Sequence, residues 1–295
     1  MKRRSRVVII RSRKSLSPDG LSPRILERMF MRGLSHTAES FSLPRVHTGN
    51  DTSIGIKINT IGGKALSTGP PVSLALARTL LKRDVREENI LIWDRTNREL
   101  RNAGYRLNMN RFGLKIYGTD TRGVDYESRL TQHLRIGSRF SAIQARLISH
   151  SISLAMLKDH GLAGVTAGLK NYFGAIHNPN KYHDNRCTPY IAEVFDCNPV
   201  KSKHRLTILD ALFVQYHRGP AFHPSWNKAY GGLVFSTDPV AADFIGWRII
   251  DTLRAKKGIP SLKEEHREPL YIRTAESMGL GTADPNAIEL VEEEI

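Results

Sequence analysis

Apolar and polar residues alternate along this chain in short blocks that predict strands and helices in turn. Helices are predicted where apolar residues recur every three or four positions, at 23–34, 72–85 and 239–253. A short helix with a glycine stop is predicted at 97–104. A further, closely packed helix is expected over 161–176, because GLAGVTAGLKNYFGAI is rich in small residues. Strands are predicted from short apolar or alternating runs, at 7–10, 53–60, 89–94, 114–118, 148–157, 205–212 and 232–236.

This alternation of strand and helix predicts an α/β fold. The strands at 53–60 and 89–94 with the helix between them form a βαβ unit, so they should be parallel and lie adjacent or one strand apart. The loops that follow such strands lie at the carboxyl edge of the sheet. We therefore expect one α/β domain over 1–295, with a mostly parallel sheet covered by helices on both faces and flexible ends at 1–5 and 288–295.

Apolar runs and cysteines set the expected environment. No apolar run approaches the roughly 18 residues that a membrane span needs, so no membrane partner is expected. The paired arginines in MKRRSRVVIIRSRKSL precede too short an apolar stretch for an export signal, and this segment is predicted as a short strand. Only two cysteines occur, which leaves the reducing cytoplasm as the expected location and one disulfide between them open.

The net charge of +15 is concentrated in the first half of the chain. Residues 1–150 carry 28 Lys and Arg against 12 Asp and Glu, whereas residues 151–295 carry 16 against 17. One hypothesis is therefore that the basic half binds nucleic acid or an acidic partner. It is not favoured, because no recognised nucleic-acid module surrounds the arginines near the start of the chain, Arg3, Arg4, Arg6, Arg11 and Arg13.

In GIKINTIGGKALSTG a predicted strand is followed by a glycine-rich loop whose composition suits the binding of an anion. The loop is not a Walker A motif, because Ala65 stands where that motif needs Ser or Thr. The plainer interpretation is a turn in which glycines supply positive φ angles. The candidate cofactor-binding residues of this loop are Lys57, Asn59, Gly62, Gly63 and Lys64.

Polar side chains are densest between Lys158 and Asp184, in LKDHGLAGVTAGLKNYFGAIHNPNKYHDN. The first of them follow a predicted strand, where open α/β sheets place their ligand contacts. Lys170 and Asn171 join the candidate cofactor-binding residues, and Asp210 follows another strand. The candidate catalytic residues are Lys158, Asp159, His160, His177 and Asp210.

Metal binding and thiol chemistry are weaker hypotheses. The candidate zinc ligands His177, His183, Cys187 and Cys197 lack the short CxxC or HExxH spacing typical of such sites. Two cysteines fall short of the usual four, so an iron–sulfur cluster held by this chain alone is not expected. A nucleophilic Cys187 beside His183 or His177, and a metal-dependent enzyme using these histidines, His160 or Asp210, stay open. Asp94, Asp210 and Asp238 each follow a strand and could converge on a cation or act as general acid and base.

Four blocks in order resemble the family catalogued as domain of unknown function 362: GIKINTIGGKALSTGP, NILIWDRTNREL, the segment 157–185 and STDPVAADFIGWRII. The resemblance spans roughly residues 5 to 290 and brings no established activity. Many members look redox-associated, with appended ferredoxin-type cysteine clusters or twin-arginine signals, and this chain has neither. The resemblance thus implies, at most, cofactor or electron-transfer biochemistry with a redox partner protein.

Together these observations favour a cytoplasmic protein that binds a small anionic ligand or cofactor, and slightly favour an enzyme. Two lysine-bearing loops, 57–68 and 158–184, follow predicted strands and should face each other across the carboxyl edge of the sheet.

Overall fold

The computed structural model describes residues 4–13, 16–17, 20–37, 53–110 and 112–295. Strands occur at every predicted strand position within these ranges. They are β1 (Ser5–Arg11), β2 (Leu16–Ser17), β3 (Gly20–Leu21), β4 (Ile54–Lys57), β5 (Ile90–Trp93), β6 (Lys115–Ile116), β7 (Thr131–His133), β8 (Ile136–Ser138), β9 (His150–His160), β10 (Gly164–Thr166), β11 (His204–Gln215), β12 (Asn227–Ser236) and β13 (Ile288–Glu294).

The helices predicted at 23–34, 72–85, 97–104 and 239–253 are present, and three more occur in the second half of the chain. They are α1 (Pro23–Thr37), α2 (Pro70–Leu81), α3 (Asn97–Asn102), α4 (Tyr190–Asp196), α5 (Asn198–Lys201), α6 (Pro239–Ala255) and α7 (Leu270–Ser277). Helix α6 begins at its predicted cap, where Asp238 accepts hydrogen bonds from the N–H groups of Val240 and Ala241, both at 2.9 Å. Across the described ranges, no helix combines the length and apolarity of a membrane span.

One nine-stranded sheet organises the chain in the order β13-β1-β12-β11-β9-β4-β5-β6, with β10 paired to β9. Strands β10 and β12 run antiparallel to their neighbours, and the other adjacent pairs are parallel. Strands β4 and β5 are the direct parallel neighbours that the βαβ pattern predicts. The fold class is confirmed as α/β with a mostly parallel sheet.

Helices cover both faces of the sheet, each over its own apolar core. On one face, Val8 and Ile10 of β1 pack with the apolar sides of α1 and α2. On the other face, Val7 and Ile9 share a core with α4, α6 and α7. The period-2 alternation of β1 therefore divides its side chains between the two layers.

The expectation of a flexible end at 288–295 is wrong for Ile288–Glu294, which forms the edge strand β13 in parallel register with β1. Two physical terms explain the pairing. Strand β13 satisfies the backbone groups along the outer edge of β1. Its acidic side chains also pair with basic ones, as in Arg6–Glu289 at 3.1 Å and Arg32–Glu293 at 2.8 Å.

The predicted helix over 161–176 is also wrong. Gly164–Thr166 instead turns back as β10 and pairs antiparallel with the end of β9, and Lys170–Ala175 is a short 3-10 helix. Gly164 has φ +77° and lies against the backbone of Arg267 and Pro269, where a Cβ would be 2.4 Å from the Arg267 carbonyl oxygen. Its glycine is therefore explained by a tight turn and a close backbone approach rather than by helix packing.

Candidate functional site

Three adjacent strands end together at the carboxyl edge of the sheet and surround a cleft of about 340 Å³. Strand β4 ends at Lys57, Asp94 follows β5, and Lys158 and His160 lie at the end of β9. The 170–183 segment closes the opposite wall. We call the space between the ends of β4, β5 and β9 and residues 170–183 "the cleft".

A buried ion pair forms the floor of the cleft. Lys57 Nζ lies 2.6 Å from Asp94 Oδ1 and also donates to the carbonyl oxygen of Ile58 at 2.7 Å. The second carboxylate oxygen accepts from the backbone N–H and the hydroxyl of Thr60, at 2.7 and 2.6 Å. A Cβ on Gly174 would lie 2.7 Å from Lys57 Nζ and 3.1 Å from Asp94 Oδ1, so a larger residue there would have to displace the ion pair. Lys57 therefore has its counter-ion within the protein.

Asn171 joins the two segments that the sequence analysis expects to face each other. Its amide donates to the carbonyl oxygen of Lys57 at 2.8 Å and to the hydroxyl of Ser153 at 3.0 Å. Its own oxygen accepts from Lys57 Nζ at 3.3 Å. The 158–184 segment and the 57–68 loop thus meet through Asn171, which holds the wall of the cleft against the end of β4.

Two further lysines line the cleft without a carboxylate. Lys158, only 1% exposed, donates from Nζ to the carbonyl oxygen of Leu66 at 3.3 Å. Lys170 Nζ lies 5.0 Å from the centre of the Phe173 ring. Within the described part of the chain, neither amine has an acidic oxygen within the 4.0 Å of an ion pair. Burial, reinforced by the charge of Lys170, lowers the pKa of Lys158 to about 8. Burial likewise lowers the pKa of Lys170.

Two histidines line the same cleft in complementary states. His160 Nδ1 accepts from the backbone N–H groups of Leu162 and Ala163, at 3.2 and 3.1 Å, which assigns the proton of the neutral ring to Nε2. His183 Nδ1 donates to the carbonyl oxygen of Pro179 at 3.0 Å, so its Nε2 is an acceptor when the ring is neutral. Burial and then the charge of Lys170 lower both pKa values, that of His160 to about 2. The rings, 6.1 Å apart, therefore provide one donor and one acceptor.

The cleft has an excess of positive charge and an apolar mouth. Its lining includes the cations Lys57, Arg95, Lys158 and Lys170 against the acids Asp94 and Glu99. Ile61 and Leu162 stand at the cleft with 66% and 47% of their surfaces exposed. Asn59 also lines it, and the buried side-chain oxygen of Asn59 has no hydrogen-bond partner among the described residues. The arrangement suits an anionic group attached to a partly apolar body.

Several predicted site residues lie elsewhere. Asp159, between two cleft residues on β9, projects to the opposite face, where it pairs with Arg267 at 2.9 Å and accepts from the Gly219 N–H at 2.7 Å. Burial, opposed by Arg267, raises the pKa of Asp159. His177 is exposed and packs edge-on against Tyr126, with ring centres 5.2 Å apart. Neither residue is part of the cleft.

The glycine loop divides between two spaces. Lys57 and Asn59 line the cleft, whereas Lys64 lines a separate cavity together with Asp210. Gly62 and Gly63 line neither of these two spaces and shape the turn: Gly63 has φ +61°, and a Cβ on Gly62 would lie 2.2 Å from the carbonyl oxygen of Leu66. The plainer interpretation of these two glycines, a turn that needs a positive φ and a close backbone contact, therefore matches their geometry.

The weak metal candidates do not come together. In the residues that the structure describes, no group of three or more His, Cys, Asp or Glu could hold a metal ion. Cys187 and Cys197 are separate, buried free thiols. Burial raises the pKa of both, that of Cys197 to about 12, which disfavours the thiolate that a nucleophile or ligand requires.

The three strand-following aspartates also do not converge. Asp94 pairs with Lys57, and Asp210 lies in the separate cavity. Asp238 lies at the opposite edge of the sheet, because β12 runs antiparallel to β11. The pairing of Asp94 with Lys57 is a contact of the cleft that the sequence analysis does not predict. The sequence does carry a signal for it, since both residues follow apolar runs of one βαβ unit and such strands are neighbours.

Comparison with known proteins adds a family. Residues 54–248 match the family model described as Domain of unknown function (DUF362). A crystal structure of a protein from Thermotoga maritima is similar at 12% sequence identity and a TM-score of 0.45, covering 81% of this chain and 60% of that chain. This chain thus spans about three fifths of the length of that protein. None of the curated proteins matches this chain.

Proposed function

This chain belongs to the family of domain of unknown function 362, and since that description names no activity, we propose from the cleft that the protein binds a small anionic ligand or cofactor there. The observation that carries the proposal is the pair of lysines, Lys158 and Lys170, that line the cleft without a carboxylate partner among the described residues.

The cost of burying charge supports this proposal. A buried ammonium group is costly unless it is paired, and Lys57 is paired with Asp94 on the cleft floor. Lys158 and Lys170 have no such pairing within the described ranges, and burial lowers the pKa of both amines. A bound phosphate or carboxylate would supply the missing counter-charge to both amines.

An enzyme is the form of this proposal that the side chains favour. His160 Nε2–H donates a hydrogen bond and His183 Nε2 is an acceptor beside the two amines, which suits polarisation of a bound anion by His160 and proton acceptance by His183. Because Lys158 has a pKa of about 8, its amine exchanges a proton near neutral pH. A redox role and a redox partner protein rest on the family resemblance alone. A cytoplasmic location accords with two free thiols.

The basic first half of the chain supports a nucleic-acid function less well. Arg6, Arg13 and Arg32 of that half pair with glutamates of β13, at 3.1, 3.6 and 2.8 Å. Part of the charge excess is therefore balanced within the fold rather than left for phosphate contacts.

Thermal unfolding with inorganic phosphate and with oxalate as probes tests the proposal. We expect at least one anion to raise the Tm of the wild-type protein, since a ligand at 100 times its Kd stabilises by about 2.7 kcal/mol. Lys170→Met should remove this increase. The matched control is Lys181→Met, which removes an exposed lysine of the same segment and should retain it. An unchanged response in Lys170→Met, or no response of the wild type to either anion, would contradict the proposal.

A further inference from the structure

A second cavity, of about 560 Å³, opens beside the cleft on the other side of the 57–68 loop. Its walls are the start of α2 at Gly69–Val72, the end of α3, Met156 of β9 and the last part of β11. None of the described residues that line it also lines the cleft. We call it the Asp210 cavity, after the carboxyl group at its wall.

Unused hydrogen-bond acceptors gather in the Asp210 cavity. Asp210 is 3% exposed, and its carboxyl group accepts a hydrogen bond at Oδ1 from the Leu212 N–H at 3.2 Å. The buried hydroxyl of Ser67 and the buried side-chain oxygen of Asn227, which also line the cavity, have no partner among the described residues. A buried polar atom without a partner is costly, so a ligand that donates hydrogen bonds would gain from Ser67 and Asn227 as well as from the carboxylate of Asp210.

The remaining lining defines the rest of such a ligand. Asp210 is the acid of this wall, and Lys64 is its cation, standing exposed at the rim. Met156, Val72, Leu212 and two proline rings make the body of the cavity apolar. A positively charged planar group with several N–H donors matches a carboxylate with neighbouring oxygen acceptors.

We propose that the Asp210 cavity binds a ligand with an amidinium or guanidinium head attached to an apolar body. The head donates to Asp210, with Asn227 and Ser67 completing its hydrogen bonds, while the body packs against Met156 and the start of α2. This site is separate from the anion cleft, so it neither requires nor excludes the function proposed there.

Benzamidine is the probe, and its uncharged analogue benzamide has the same ring. Burial raises the pKa of Asp210 to about 7, with Lys64 at the rim and the buried phenol of Tyr105 as the other titratable groups near it. Binding is therefore measured at pH 8, where the carboxyl group is mostly ionised. Isothermal titration should show that benzamidine binds and that benzamide binds at least tenfold more weakly.

Variants separate this site from the cleft. Asp210→Asn should weaken benzamidine binding at least tenfold. Asn227→Ala should weaken it several-fold and provides the test if Asp210→Asn folds poorly. Lys170→Met, in the cleft, should leave benzamidine binding unchanged. The proposal is overturned if the wild type does not bind benzamidine, if benzamide binds equally well, or if both cavity variants retain wild-type affinity.

Discussion

Replacing Lys158 with methionine should make the unliganded protein more stable, although it removes a cation from the proposed site. The lysine pKa falls from 10.5 to about 8 through burial, and at about 1.4 kcal/mol per pKa unit this corresponds to roughly 3 kcal/mol. The lost hydrogen bond to Leu66 offsets about 1 kcal/mol of this. Lys158→Met should therefore gain about 2 kcal/mol, or roughly 4 °C in Tm.

The gain should depend on pH in a defined direction. Below pH 8 the amine is charged in both the folded and the unfolded chain, so the folded wild type carries the full cost of the buried charge. Between pH 8 and 10.5 the folded protein releases the proton first, and the advantage of the variant fades. Urea unfolding of both proteins at pH 7 and pH 10 measures this change. The control is Lys181→Met, whose free energy of unfolding should equal that of the wild type at both pH values.

Two results would refute this reasoning. If Lys158→Met is less stable than the wild type at pH 7, the packing of the lysine's alkyl chain and its hydrogen bond to Leu66 stabilise the fold by more than the buried charge costs. If it is more stable by the same amount at both pH values, the gain comes from packing and not from charge. In either case the buried amine of Lys158 would no longer indicate that an anion is missing from the cleft.

The floor of the cleft and the ring of His160 give two more predictions. Gly174→Ala should destabilise the fold by about 2 kcal/mol or more in urea unfolding, because the new Cβ displaces the buried Lys57–Asp94 pair. The control Gly137→Ala has open space around its Cβ and should change the free energy of unfolding little. Equal effects of the two substitutions would contradict this prediction. His160 should show the Nε2–H tautomer by nitrogen NMR and should not titrate between pH 4 and 8, because its pKa is about 2; a midpoint near 6.5 would be the contrary result.

Local patterns predicted most of the fold because they act within a few residues. The apolar run Val7–Ile10, the cap at Asp238 and the βαβ pattern of β4 and β5 each depend on neighbours in the sequence. The hairpin at 161–166 could not be predicted in this way. Its Gly164 is required by the backbone of Arg267 and Pro269, which lies far along the chain and meets β10 only after folding.

The candidate site shows the same division. The predicted strand ends at 157, whereas β9 continues to His160. Within β9 the side chains alternate, so that Lys158 and His160 face the cleft and Asp159 faces the other side. Had the strand been extended to His160, its period of two would have separated these side chains. The position of Asp210 outside the cleft depends instead on the order of β9, β11 and β12 across the sheet, which local sequence does not encode.

The pairing of β1 with β12 and β13 also has a consequence for synthesis. Strand β1 leaves the ribosome before both of its partner strands, which begin only at Asn227 and Ile288. Until β12 has been synthesised, its apolar residues Val7–Ile10 have no strand to pair with, so this segment of the nascent chain could associate with other chains. The arginines around that segment supply like charge that repels a second copy, and the acidic strand β13 that neutralises them is synthesised after both β1 and β12.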